Sequence, residues 1–140
     1  MKDVIKKEYQ YSHKINSVWN AISDPDEISA WFIKADFKPE VGYKYTFTHE
    51  QTTINGEVIE ANPVHKLVYT WIVVGTGVET TVSWQLQENE QGTLLTLEHS
   101  GISNYPTEDM AAIMFTNFSG GWDACITNLD KFLKESTHAS

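Results

Sequence analysis

The sequence predicts an α+β domain in which a curved antiparallel sheet of six or seven strands wraps around one long C-terminal helix, with two short helices after the first strand. Two observations predict it. From about residue 108 to 134, apolar residues recur at helical spacing: Ala111, Met114, Phe115, Phe118, Trp122, Cys125, Ile126, Leu129, Phe132 and Leu133 share one stripe, roughly 120° wide at ~100° per residue. Thr116, Asn117, Asp123, Thr127, Asp130, Lys131, Lys134 and Glu135 fall on the other side. Upstream, alternating segments separated by turn residues read as consecutive strands, and a helix apolar on one face needs such a partner. The 140 residues are expected to form one domain over 1–140, large enough to fold without staples, with a tail that frays from about 135 to 140.

The elements follow in order. Val4 to His13 reads as the first strand, with Ile5, Tyr9 and Tyr11 on one face and Lys6, Glu8 and Gln10 on the other. Asn16 or Ser17 can cap a short helix bearing Val18, Trp19 and Ile22. Asp24 then caps a second, with Pro25 at its first position and Asp26 and Glu27 at its positive end. That helix carries Ile28 into Trp31 and Phe32. Five strands come next, with inward sets Tyr43, Tyr45, Phe47; Ile54, Gly56, Val58; Leu67, Tyr69, Trp71, Val73; Val82, Trp84, Leu86; and Leu95, Leu97, His99. Asn62 to His65, Gly75-Thr76-Gly77 and Asn89 to Gly92 are the turns between them, so these strands form a meander.

Composition removes several function classes. A net charge of −9 without a basic stripe argues against nucleic acid and against anionic membranes. The single cysteine allows neither an intrachain disulfide nor a thiolate metal cluster. No apolar region follows the first charges, so Met1 to Glu8 does not read as a signal peptide, and no stretch approaches ~20 apolar residues. The expected compartment is the cytoplasm, and the expected state a monomer or weak homodimer.

Four segments together resemble a known family. They are Ser23-Asp24-Pro25-Asp26-Glu27-Ile28-Ser29-Ala30-Trp31-Phe32; Gly56 to Pro63 followed by Leu67-Val68-Tyr69-Thr70-Trp71; Gly92-Thr93-Leu94-Leu95-Thr96-Leu97-Glu98-His99-Ser100-Gly101; and Gly121-Trp122 with Leu129. In that order they resemble the START-like, birch-pollen-allergen-like superfamily of helix-grip folds. Within it they resemble the family of the activator of heat-shock protein 90 ATPase homologue. The resemblance implies a sheet gripping the last helix with a cavity between them. The eukaryotic co-chaperone of that family carries a further N-terminal domain that is not expected within these 140 residues, so chaperone activation is not carried over by name.

The candidate residues follow from parity and from that resemblance. Trp31, Tyr45, Phe47, Val58, Tyr69, Trp71, Val82, Trp84, Leu97 and the helix face bearing Phe115, Phe118 and Trp122 are expected to point inward, as a ligand-cavity wall or as ordinary core. His99 shares the inward face of its strand, either as a satisfied histidine or as a weak catalytic candidate; a general base needs an orienting partner that the sequence does not show. His49 and His99 have inward parity as well. With Glu50 or Glu57 they lack the spacing of metal sites, so no metal and no cofactor are expected. Gly120-Gly121 reads as a close approach of helix to sheet, with a hinge as the other reading, and Cys125 as a buried, inert thiol. The function expected is binding of a hydrophobic or aromatic, lipid- or polyphenol-like small molecule. The alternatives are a chaperone-linked protein-interaction module and a cyclase- or aromatase-like enzyme, classes that the resemblance brings with it.

Overall fold

A computed structural model describes residues 3–139. The order is β1 (Ile5–Tyr11), α1 (Ile15–Ser23), α2 (Pro25–Trp31), β2 (Lys34–Asp36), β3 (Lys44–His49), β4 (Thr52–Asn62), β5 (Lys66–Val73), β6 (Glu79–Asn89), β7 (Gly92–Ser100), a 3-10 turn (Ile102–Asn104) and α3 (Glu108–Ala139). The seven strands form one curved antiparallel sheet in the order β1-β7-β6-β5-β4-β3-β2. Hairpins link β3 through β7, as the alternation predicts. β1 pairs with the last strand, from Ile5 opposite His99 to Tyr11 opposite Thr93. The chain must therefore cross from one sheet edge to the other between β1 and β2, and α1 and α2 make that crossing. The alternation in β7 is complete: Thr93, Leu95, Leu97 and His99 are buried, and the residues between them are half-buried.

Local chemistry accounts for the ends. Asp24 Oδ1 accepts the Asp26 N–H at 2.8 Å, with Pro25 in the first turn of α2, as expected. α1 differs: Lys14 is its N-cap and makes no side-chain cap bond, so Asn16 and Ser17 lie inside the helix rather than capping it. β2 is an addition to the strands read from the sequence, because three residues carry too little period to read. Thr107 Oγ1 accepts the Met110 N–H at 3.1 Å and caps α3, which continues past Leu133 to Ala139.

The apolar stripe of α3 is unevenly covered. Trp122, Cys125, Ile126, Leu129 and Leu133 are buried, and the Tyr11 hydroxyl donates to the Ile126 carbonyl at 2.9 Å. Nearer the N-terminus Ala111 is buried, but Met110, Met114, Phe115 and Phe118 are only half-buried and Ile113 is 60% exposed. Two expectations on this helix are corrected. Asp130 is not on the open face: it is half-buried, takes Lys134 Nζ at 3.0 Å and the Tyr9 hydroxyl at 3.4 Å, and lies 3.6 Å from His13 Nε2. Gly120 and Gly121 do not mark a close approach, because a Cβ built on either meets nothing within 4 Å. No helix among the described residues is long and apolar enough to cross a membrane.

Candidate functional site

The register of the sheet brings most of the expected wall together. Val58 lies opposite Tyr69, Tyr69 opposite Val82, and Val82 opposite His99, one row across four strands. The next row sets Leu67 against Trp84 and Trp84 against Leu97. Tyr45, Phe47, Val58, Tyr69, Trp71, Val82, Trp84, Leu97, His99 and Trp122 are all buried, and the rings form a continuous cluster. Trp122 of α3 sits 5.3 Å from Trp71 and 5.7 Å from Trp84, centroid to centroid. Phe118 stacks on His99 at 4.6 Å. Trp31 stands apart from this group: its indole donates to the Ala21 carbonyl at 2.7 Å, tying α2 to α1, and it reaches the cluster through Phe32. Phe115 packs on the core but is half-buried.

His99 is fully enclosed and both ring nitrogens are engaged. Trp122 Nε1 donates to its Nδ1 at 3.0 Å, and its Nε2 lies 2.7 Å from Thr80 Oγ1. Since Nδ1 accepts, the ring hydrogen belongs on Nε2 and is donated to Thr80. The Thr80 hydroxyl then donates to the Trp71 carbonyl at 3.1 Å. Every hydrogen in that chain has an acceptor only if the imidazole is neutral. Burial favours the same form and pushes the His99 pKa down to about 4. The arrangement holds α3 against β5, β6 and β7.

The indoles of the interior differ in one respect. Trp31, Trp84 and Trp122 donate to the Ala21 carbonyl, the Tyr69 hydroxyl and His99 Nδ1. Trp71 Nε1 is buried and has no hydrogen-bond partner among the described residues, in a residue only 4% exposed. An unsatisfied buried donor costs about 1–3 kcal/mol. Its ring is bordered by Phe47, His99, Phe118 and Trp122, so the lone N–H belongs to the cluster beneath the half-covered end of α3.

Other expected features are displaced. His49 is exposed at the end of β3, and three strands separate β3 from β7, so His49 and His99 form no pair. Among the described residues no cluster of three or more His, Cys, Asp or Glu could hold a metal. Cys125 is buried and its thiol is pushed up to about 12 by burial. Sequence reasoning missed Thr80, a polar residue at a strand start whose inward parity with Val82 was the available signal, and Phe37, which lies outside any periodic run. An open crevice of about 680 Å3, bounded by Trp19, Ser23, Pro25, Phe37 and Tyr43, lies outside the expected wall.

The model of the family described as "Activator of Hsp90 ATPase homolog 1-like protein" matches residues 12–134. Among solved structures, protein MLL2253 of Mesorhizobium loti is similar at a TM-score of 0.86 and 26% identity, over 94% of this chain and 97% of that one. Protein BH1534 of Bacillus halodurans is similar at 0.79 and 26%, over 95% and 97%. DynU16, from the dynemicin biosynthetic locus, shares the fold at 0.84 and 21%, over 96% of this chain but 48% of its own. No curated protein sequence matches.

Proposed function

The chain belongs to the activator of Hsp90 ATPase homolog 1-like family, of START-like helix-grip fold, and from that premise we propose that it binds a hydrophobic or aromatic small molecule between its sheet and α3. The observation that carries the reading is the uneven cover of α3. Its C-terminal half is closed by the sheet and by α1 and α2. Its N-terminal half leaves Met110, Met114, Phe115 and Phe118 half-buried beside an aromatic cluster. Apolar lining with few polar groups is the usual character of small-molecule sites. Binding rather than catalysis is our reading because His99, the one interior histidine in that cluster, has both nitrogens engaged and is held neutral.

Native mass spectrometry and thermal-shift titration against lipids and polyphenols test the proposal. Planar apolar compounds are expected to raise Tm and to move the amide resonances of β5 and of the helix around Phe118. Val82→Phe, which fills the row under α3, is expected to weaken binding while the protein remains folded. Silence across both compound classes overturns the container reading and favours the protein-interaction alternative. An activity that falls by ~10²–10⁴ in His99→Ala favours the enzyme.

A further inference from the structure

We infer that the ligand carries an uncharged oxygen acceptor, of carbonyl type, which takes the hydrogen of Trp71 Nε1. This rests on the binding site proposed above and names the chemical class that it selects.

Two independent observations fix the class. The first is the solitary donor. Trp31, Trp84 and Trp122 have acceptors supplied by the fold, and among the described residues Trp71 has none. No acceptor among the described residues reaches it. Thr80 Oγ1 is directed to His99 and the Trp71 carbonyl, and His99 Nδ1 accepts from Trp122. The rings that border Trp71 are Phe47, His99, Phe118 and Trp122, and neither phenylalanine carries a polar atom. A molecule lodged there meets apolar faces and one N–H.

The second observation concerns charge. The ten basic residues of the chain are all lysines, and none of those described is buried. Lys7 and Lys134 are bound to Asp123 and Asp130, and Lys66 to Glu60. His99 cannot serve as a cation while it is held neutral by burial. A carboxylate placed on Trp71 would be a buried charge without a counter-ion, the arrangement with the largest desolvation penalty. A ketone, lactone, quinone or similar neutral carbonyl takes the hydrogen without that penalty. The site is therefore expected to discriminate against free fatty acids and aromatic acids and for neutral planar carbonyl compounds.

The test uses three matched probes at pH 7: methyl naphthyl ketone, its isopropenyl hydrocarbon isostere, and naphthoate. For the native chain, the ketone is expected to bind about tenfold tighter than the hydrocarbon, the worth of one buried hydrogen bond, and naphthoate weakest of the three. In Trp71→Phe the ketone's advantage disappears while the hydrocarbon still binds. The indole N–H resonance of Trp71 in the native protein is expected to shift with the ketone and to stay in place with the hydrocarbon, a readout that does not depend on the variant's folding. Equal binding of ketone and hydrocarbon with an unmoved indole resonance overturns the inference and leaves the container reading standing; an ordered water already holding the N–H gives that result, since exchanging it for a carbonyl gains little. Naphthoate as the tightest ligand overturns it as well. Binding of none of the three, together with silence of the wider library, overturns both.

Discussion

His99 makes folding respond to pH in a direction set by its surroundings. In the unfolded chain the imidazole titrates near 6.5, whereas in the folded protein burial lowers it to about 4. Between those values the unfolded state holds a proton that the folded state does not. The stabilisation is therefore complete above pH 6.5 and is lost as the pH falls toward 4, by about 3 kcal/mol. Urea melts of the native chain and of His99→Gln, from pH 7.5 to 4, check this: the stability difference between the two should shrink by that amount, and a constant difference would contradict it. Leu129 and Asp130 are adjacent but differ in kind. Leu129→Ala should cost about 2–5 kcal/mol through lost burial and a cavity, whereas Asp130→Ala should cost about 1 kcal/mol, because its Lys134 and Tyr9 partners lie near solvent. Strand parity makes the inward side of His99 legible from the sequence. The contacts of Asp130 and the lone donor of Trp71 are not legible, since their partners, or the lack of one, come from segments distant in the chain.

At the scale of elements, glycines with the same side chain have opposite meanings. A Cβ at Gly56 would stand 2.1 Å from the Thr70 carbonyl oxygen on the next strand. Gly56→Ala should therefore destabilise by about 1–3 kcal/mol. Gly120 and Gly121 have free space around them within a helix. Replacing both by alanine should stabilise by about 1 kcal/mol each, read as a rise in Tm; no rise would show that the helix needs their freedom for its geometry. The period of α3 was readable because it persists for many turns, and β6 and β7 were readable because each alternates over nine residues or more. β2, with three residues, was not. The reason for Gly56 lies in the approach of β5, which no pattern within β4 reveals.

At the scale of the molecule, the hairpin meander is local and follows from its turns, but the pairing of β1 with β7 joins the first strand to the last and depends on closure of the whole sheet. Cys125 offers a measure of that closure. Its thiol is buried on the covered face of α3 and pushed up to about 12. Alkylation should accordingly be slow in the native state and should accelerate with urea in step with global unfolding; rapid labelling without denaturant would mean that α3 leaves the sheet independently. The aromatic interior has an optical consequence too. With Trp122 only 5.3 Å from Trp71 and 5.7 Å from Trp84, their indoles are close enough to share excitation. The near-ultraviolet circular dichroism should then contain a coupled pair of bands that vanishes when Trp122 alone is replaced by phenylalanine. Light absorbed by any of the three should drain toward whichever ring lies lowest in energy, so their share of the emission reports one place, the junction of α3 with the sheet, rather than three separate environments.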